Sequence, residues 1–522
     1  MNGAQIDSMR TGPTYERNAS VMFVDRIRRS PERTALVVLG EDEISYEALG
    51  ERLAATVHAL RAAGVEQGDR VAFAASNRTE VIEVMAATLH LGGIFVPLNT
   101  RLSAAELRFI TLDAGAKVIL ADSAMATLLA PERAALGVDH ALRLPDVDEV
   151  QDGWQAVSEL TGGPIDPLGP PADTSPDDVA VLMYTSGTTG QPKGAMITHG
   201  NIVATVHNLM LLIPMGPDSG MLAMAPLFHV GAMALVLGTL ATGGRVVILP
   251  AFTPTAVFDA IEAQPVTFTF GVPAMFQAMT TDPRFEAADL SSVLLMCAGA
   301  PVPESLLHQY LERGAKVTQG YGLTESTAVV SLLESDFATA KLGSAGMPYP
   351  LTAVQLRDPE GAVITDAGVD GEIWIRGRNV VRGYWNRPDD TAALLDEDGW
   401  LRTGDAGHLD ADGFLYITDR IKDMLITGGE NVYPAEVEKV LAGHPDIADV
   451  AVIGTPDEQW GEVVTAIVVP RPGASVDLDA VQAYAREQLG GYKVPRRLHL
   501  TEELPRNASG KVLKRDLRAE LA

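Results

Sequence analysis

Short apolar runs rich in β-branched residues recur along the chain, at Val71–Ala74, Val118–Leu120, Val179–Tyr184, Val246–Leu249 and Val266–Phe270. Longer stretches of helical character, such as Tyr46–Ala63 and Ala256–Ala263, alternate with them. Strands alternating with helices predict α/β architecture built on parallel, doubly wound sheets, because a crossover helix must carry the chain back before the next parallel strand can pair. The Gly/Pro-rich stretch at 161–171 reads as a loop between two parts of this region. From about Ala353 to Thr418 the pattern changes to short strands and turns, as in Glu372–Arg376 and Phe414–Thr418, which predicts a small β-barrel-like subdomain. Beyond Arg420 the order is helix (Ala435–Ala442), strand (Ile447–Ile453), strand (Val463–Val469), helix (Leu478–Gln488) and a basic tail. The expected division is a large domain over 1–419 and a smaller α+β domain over 420–522.

One segment imitates a membrane span. Gly220–Gly244 carries no formally charged side chain and is long enough to cross a bilayer. It also contains Pro226, His229 and five glycines, and no basic flank precedes it. It reads instead as strand (Met221–Ala225), loop (Pro226–Gly231), helix (Ala232–Leu240), a Gly-Gly turn and strand (Arg245–Leu249), so no transmembrane segment is expected.

Composition narrows the function classes. The 522 residues are 47% apolar and 21% charged, an ordinary balance for a soluble globular protein. Asp and Glu number 68 against 40 Lys and Arg, a formal charge of −28. That acidity argues against nucleic acid as a partner and against attachment to an anionic membrane surface. A single cysteine, Cys297, allows no internal disulfide and no multi-thiolate metal site. With no signal-peptide pattern at the N-terminus and no peroxisomal or ER-retention signal at the C-terminus, the expected compartment is the cytoplasm.

The strongest local signal is Tyr184-Thr-Ser-Gly-Thr-Thr-Gly-Gln-Pro-Lys-Gly194, directly after an apolar strand. Glycines let the backbone turn tightly and offer N–H groups to phosphate oxygens. The hydroxyls of Thr185, Ser186, Thr188 and Thr189 add donors around Gly187 and Gly190, and Lys193 adds a point charge. A flexible linker shares this composition but not the placement after a strand. It is not a Walker A loop, because Gly194 rather than Ser or Thr follows Lys193. Phosphate binding is expected, and ordinary P-loop hydrolysis is not.

This loop resembles the signature of the adenylate-forming superfamily, and further segments similar to that family's motifs follow in order. They are Gln319-Gly-Tyr-Gly-Leu-Thr-Glu325, Arg402-Thr-Gly-Asp405, Asp419-Arg-Ile-Lys-Asp423, Gly428-Gly-Glu-Asn-Val-Tyr-Pro434 and Pro505-Arg-Asn-Ala-Ser-Gly-Lys511. The resemblance runs from about residue 20 to residue 520 and points to the acyl-CoA synthetase branch. It implies that a carboxylate attacks the α-phosphate of ATP to give an acyl-adenylate and pyrophosphate, and that the thiol of CoA then displaces AMP. Lys511 would stabilise charge at the α-phosphate, Thr324 would hydrogen-bond it, and Glu325 would hold Mg²⁺. Asp405 would accept from the ribose hydroxyls, with Arg420 approaching from the hinge. Tyr321 would stack on adenine, with Gly299, Ala300 and Pro301 lining the other face. The smaller domain would be mobile, pivoting at Lys422, and Gly429 would open the path for the CoA thiol arm.

His229, in Pro226-Leu-Phe-His-Val-Gly-Ala232, bears on the substrate. The amino-acid-activating branch carries an Asp in this segment, so His229 amid Phe228, Val230, Gly231 and Met233 implies an acid without an α-amino group, with the imidazole near the reacting carboxylate. Gly271-Val-Pro-Ala-Met275 supplies a further apolar wall. The expected activity is ATP-dependent CoA ligation of a hydrophobic acid, with a fatty acid favoured. The alternatives are an aryl acid, or loading of a carrier protein. A homodimer is left open. A phosphotransferase would release ADP, and a non-catalytic nucleotide binder would have no need of Lys511 and Glu325. Residues 491–522 hold eight Lys/Arg against four acids, so a local basic excess is expected to close over the phosphates despite the acidic whole.

Overall fold

The computed structural model describes residues 17–41, 43–145, 153–160, 165–185, 192–300, 302–420, 423–427, 430–457, 460–506 and 512–521, with Arg420, Ile426, Glu430, Asn431 and Gly461 described by backbone alone. By contacts the chain divides into two compact units. One is Met1–Ala353 with Ile375–Leu401; the other is Val354–Trp374 with Arg402–Ala522. That division assigns most of the short-strand region to the second unit, whereas the sequence pattern alone suggested a boundary at 419/420.

The first unit contains two large sheets. The seven-stranded sheet runs Gln155–Ala156, His140–Arg143, Val118–Ala121, Arg70–Ala74, Ile94–Pro97, Val179–Thr185 and Lys193–Thr198. Its pairings are parallel except the last, which is antiparallel. The nine-stranded sheet runs Met347–Pro348, Ser331–Leu333, Lys316–Tyr321, Leu294–Ala298, Phe268–Gly271, Gly220–Ala223, Arg245–Ile248, Thr34–Val38 and Ile44–Ser45. It is parallel in the centre and antiparallel at both edges. Its order reverses at Gly220–Ala223: the next strand in the chain lies on one side, and the later ones lie on the other. Such a reversal sends successive loops apart and leaves a crevice beyond the carboxyl ends of the strands.

Local chemistry explains where the helices start and stop. Ala104–Ala114 opens on a capping box of Ser103 and Glu106 and closes on Gly115 at φ 63°. The segment that imitates a membrane span contains helix Val230–Thr242, of 13 residues and buried on nearly every face. At 1.5 Å per residue it is about 20 Å long, short of a bilayer core of about 30 Å. A helix apolar all round must be covered all round; this one packs against Val21–Arg29 and His199–Leu212. The hydroxyl of buried Tyr46 donates to Leu240 O and Gly244 O at its far end. Among the described residues no helix is long and apolar enough to cross a membrane. The strand expected at Val266 begins at Phe268, because Val266 is engaged in a turn to Gln264.

His199, the first residue of helix His199–Leu212, is fully buried, and its Nδ1 accepts the Ala19 N–H at 3.1 Å. Burial holds its pKa down to about 4, against 6.5 when exposed. The unfolded chain therefore binds a proton there between pH 6.5 and 4 that the folded chain does not. The stability this site contributes is complete above pH 6.5 and is lost as pH falls toward 4, by about 1.4 kcal/mol per pH unit. His199→Gln, which keeps an acceptor for Ala19, is expected to flatten the fall in Tm between pH 6.5 and 5 in calorimetry. An unchanged slope would show that His199 is already charged.

Two sheets lie mostly in the second unit. One runs Val363–Ile364, Thr352–Arg357, Gly371–Gly377, Leu401–Leu409 and Leu415–Arg420. The other runs Glu430–Val432, Leu425–Thr427, Gly461–Pro470 and Ile447–Asp457, with Arg497–Leu500 pairing in parallel with Gly461–Pro470. Helices Pro434–Leu441 and Leu478–Arg486 bury Val437, Leu441, Val481 and Ala485 against Val452, Val464 and Val468. Strand Ile447–Asp457 runs past the expected end at Ile453, because Gly454, Thr455 and Pro456 continue the ladder opposite Val464, Val463 and Glu462.

Candidate active site

Four neighbouring strands of the nine-stranded sheet deliver the candidate residues. Gly220–Ala223 leads to Phe228 and His229, Phe268–Gly271 to Val272 and Met275, Leu294–Ala298 to Gly299 and Ala300, and Lys316–Tyr321 to Thr324 and Glu325. All are parallel neighbours, in registers that set Gly271 opposite Cys297 and Ala298 opposite Gly320. Their carboxyl ends therefore emerge side by side, and Tyr321 leaves its strand next to the one that carries Gly299. Gly299 adopts φ 87°, a left-handed conformation suited to glycine. Cys297 is buried, which pushes its thiol up to about 12, so it offers no thiolate at neutral pH.

The turn bearing Thr324 and Glu325 is held under strain. Thr324–Ser326 is one 3₁₀ turn, and it is followed by Thr327 at φ 50° and Ala328 at φ 83°. Such conformations cost non-glycine residues about 1–3 kcal/mol each and persist where the surroundings impose them. Here the enforcing group is Asn379, fully buried, whose Nδ2 donates to Ser326 O at 3.0 Å and Val329 O at 2.7 Å. Its Oδ1 accepts from Thr352 Oγ1, which accepts in turn from Asn208 Nδ2. Thr205 Oγ1 donates to Thr327 O. Sequence reasoning missed Asn379, because no local pattern in Arg376-Gly-Arg-Asn379 marks it.

Glu325 is half-buried, and its Oε1 accepts from the Tyr384 hydroxyl at 2.6 Å. Among the described residues no group of three His, Cys, Asp or Glu could enclose a metal ion. One fixed carboxylate nevertheless fits Mg²⁺, which keeps several waters and binds through one or two carboxylates plus substrate phosphates.

The Gly/Thr-rich loop expected to bind phosphate joins two antiparallel strands, with Thr185 directly opposite Lys193. No helix follows the loop directly, in keeping with the distinction from a Walker A loop. Lys193 Nζ lies 2.5 Å from Asp390 Oδ1 and 5.5 Å from the centre of the Tyr384 ring. The expected phosphate charge thus already has a carboxylate partner. At the loop's other end the Tyr184 hydroxyl donates to Asp113 Oδ2 at 2.8 Å. Burial, then this bond, raises the Tyr184 pKa, so the phenol stays protonated. Ser186, Gly187, Thr188, Thr189 and Gly190 lie outside the described residues, as does Pro301.

His229 occupies the N-cap position of helix Val230–Thr242 without a side-chain capping bond, and its ring lies 4.6 Å from that of Phe228. Burial, then the charge of Arg101, lowers its pKa to about 4. At neutral pH it is an uncharged imidazole, able to donate from one nitrogen and accept at the other. The Phe270 ring rests on the next turn: a Cβ on Gly231 would stand 2.9 Å from Phe270 Cζ.

The second unit carries the remaining candidates. Asp405 is buried on strand Leu401–Leu409, and Arg420 is its register partner on Leu415–Arg420. Lys422, Gly429 and Lys511 lie outside the described residues. The basic excess of the tail is largely engaged: Lys493 pairs with Glu436, Arg497 with Asp457, Arg506 with Asp449, Lys514 with Glu438 and Arg518 with Asp423. These cations hold the unit together.

Known proteins resemble this chain over most of its length. A family model described as AMP-binding enzyme matches residues 23–385, and one described as AMP-binding enzyme C-terminal domain matches 436–511. The chain is 44% identical over 497 residues to feruloyl-CoA synthase from Amycolatopsis sp, covering 95% of this chain and 97% of that protein. It is 36% identical over 507 residues to a long-chain-fatty-acid–CoA ligase from Mycobacterium tuberculosis, covering 97% and 98%. The solved structure of o-succinylbenzoate CoA synthetase from Bacillus subtilis with its acyl-adenylate intermediate superposes at a TM-score of 0.83. That protein is 33% identical, with 95% of this chain and 97% of that chain covered.

Proposed function

The chain belongs to the AMP-binding enzyme family, and from that premise we propose that it joins a planar, aromatic carboxylic acid to CoA with cleavage of ATP to AMP and pyrophosphate. The coarser statement, an AMP-forming acid–thiol ligase acting with ATP, CoA and Mg²⁺, follows from the family and the extent of the match. The sequence expectation favoured a fatty acid and kept an aryl acid as the alternative. We now favour the aryl acid.

The observation that carries this choice is the Phe270 ring seated on Gly231, beside the Phe228–His229 pair. In this reading the rings of Phe228 and Phe270 flank the bound acid, and a ring laid over glycine leaves less room for a long alkyl chain. Aromatic pairs add about 0.5–1.5 kcal/mol beyond the area they bury. The feruloyl-CoA synthase, the more similar of the two curated relatives compared, supports the same reading.

In this proposal Thr324 hydrogen-bonds the α-phosphate, and Glu325, its rotamer fixed by Tyr384, holds Mg²⁺. Bound Mg²⁺ supplies neutralisation of phosphate charge. Neutral His229 orients the acid by hydrogen bonding rather than by ion pairing. Tyr321, Gly299 and Ala300 flank the base, Asp405 accepts from the ribose, and Lys511 meets the charge that develops at the α-phosphate. In the same proposal residues 420–522 act as a lid, turning at Lys422, with Gly429 on the thiol path.

AMP release with CoA across a panel of acids tests the choice. Hydroxycinnamates are expected to exceed hexadecanoate by at least about a hundredfold in kcat/KM, a gap of about 2.7 kcal/mol in transition-state binding. The reverse ranking would overturn the aryl reading. Failure of every acid to drive exchange of labelled pyrophosphate into ATP would overturn adenylate formation itself.

A further inference from the structure

Residues 382–390 lie outside the sequence motifs singled out above, yet they reach both ends of the phosphate-binding loop and the carboxylate of Glu325. Their backbone pairs with the strand leaving the loop: Trp385 N donates to Gly194 O at 2.8 Å, Met196 N to Gly383 O at 2.9 Å and Arg382 N to Met196 O at 3.0 Å. At the exit of the loop, Asp390 holds Lys193. At its entry, Arg387 Nη2 donates to Asp113 Oδ1 at 2.7 Å, and the other oxygen of Asp113 holds Tyr184. The same segment carries Tyr384. Its ring faces Lys193, and its hydroxyl donates to Glu325 Oε1 at 2.6 Å.

Two features make the segment a firm base. Gly383 has φ 131°, and a Cβ there would stand 2.3 Å from Thr391 Cγ2, so the chain turns tightly under that side chain. The Tyr384 N–H donates to Thr391 Oγ1 at 2.9 Å, fixing the residue from behind.

We propose that Tyr384 is a positioning residue for the nucleotide–metal site: its hydroxyl fixes the orientation of Glu325, and the 382–390 segment ties that carboxylate to both ends of the phosphate-binding loop. The inference rests on the nucleotide reading of this site given above. A glutamate free to rotate samples several rotamers, and a metal ion must select one of them. A carboxylate with one oxygen already held presents the other without that loss. Hydrogen-bond partners standing behind metal ligands typically contribute about 10- to 100-fold in affinity. The position of Tyr384 beside Lys193 means that the same side chain also sets the spacing between metal carboxylate and loop.

Tyr384→Phe keeps the ring and removes only the hydroxyl. Mn²⁺ is the probe, its affinity for the ATP-saturated enzyme read by electron paramagnetic resonance. The substitution is expected to weaken Mn²⁺ about tenfold, with Tm and KM for the acid unchanged. In a Glu325→Gln background, itself weakened for Mn²⁺, the same substitution is expected to have no further effect. Unchanged Mn²⁺ affinity in Tyr384→Phe would overturn the proposal, as would an equal loss in the Glu325→Gln background. Glu325→Gln alone gives a measurement independent of how Tyr384→Phe folds; normal Mn²⁺ affinity there would also overturn it. A wild-type enzyme that fails to exchange pyrophosphate refutes the function. Normal exchange with an indifferent Tyr384→Phe refutes only this inference.

Discussion

Lys511→Ala is expected to lower acid-dependent pyrophosphate exchange about a hundred- to a thousandfold, while leaving thioester formation from supplied acyl-adenylate near the wild-type rate. The magnitude is that of removing one preorganised donor from a site where charge develops. Two different atoms are attacked in the two half-reactions. In the first, negative charge builds on the α-phosphate as the carboxylate oxygen adds and pyrophosphate leaves. In the second, the thiol attacks the acyl carbonyl, and the phosphorus is a spectator in the departing AMP. A cation assigned to the α-phosphate matters to the first step far more than to the second. Folding is not at stake in the comparison. The ends of the loop that carries Lys511 are pinned without it, by the bridge between Arg506 and Val512 and by Leu513 N donating to Pro505 O. Of the other tail cations, Lys493, Arg506, Lys514 and Arg518 already have carboxylate partners. Equal loss in both half-reactions would remove Lys511 from its assigned role.

The parts of the molecule legible in the sequence are those in which local chemistry decides. Alternating strands and helices follow from periodicity, and the glycine-rich loop follows from composition at a strand end. Gly220–Gly244 reads correctly as strand, loop, helix and strand, because Pro226 and the paired glycines punctuate it. What the sequence hides is what distant residues do together. Asn379 imposes the strained turn after Glu325, although the two are far apart in the chain and Asn379 stands among ordinary Gly and Arg. The partner of Lys193 is Asp390, 197 residues away. A count of charges within 491–522 missed the acids at 423–457 that meet those cations in three dimensions. The division into two sheets was likewise not set by periodicity, because a strand such as Thr34–Val38 finds its partner at Arg245–Ile248 only through tertiary packing.

Gly322→Ala is expected to abolish adenylate formation and to destabilise the first unit by about 3 kcal/mol, at the upper end of overpacking penalties. A Cβ at Gly322 would stand 1.8 Å from Ala328 O and 2.6 Å from Ala328 C. Those atoms are backbone, so no rotamer change relieves the clash. Only displacement of Thr327 and Ala328 can do so, and both are already held at positive φ by the hydrogen bonds of Thr205 and Asn379. The displacement therefore breaks the clamp that fixes Thr324 and Glu325, and stability and chemistry fall together. Gly299→Ala is the informative contrast. Among the described residues its added Cβ meets only Val272 Cγ1, at 3.4 Å, and its cost is the left-handed φ of 87°, about 1 kcal/mol. That variant should fold near normally and keep measurable exchange. Thermal melts with pyrophosphate exchange on both variants check the pair. If Gly322→Ala retained wild-type exchange, the close approach of Gly322 to Ala328 would not be what holds the catalytic turn.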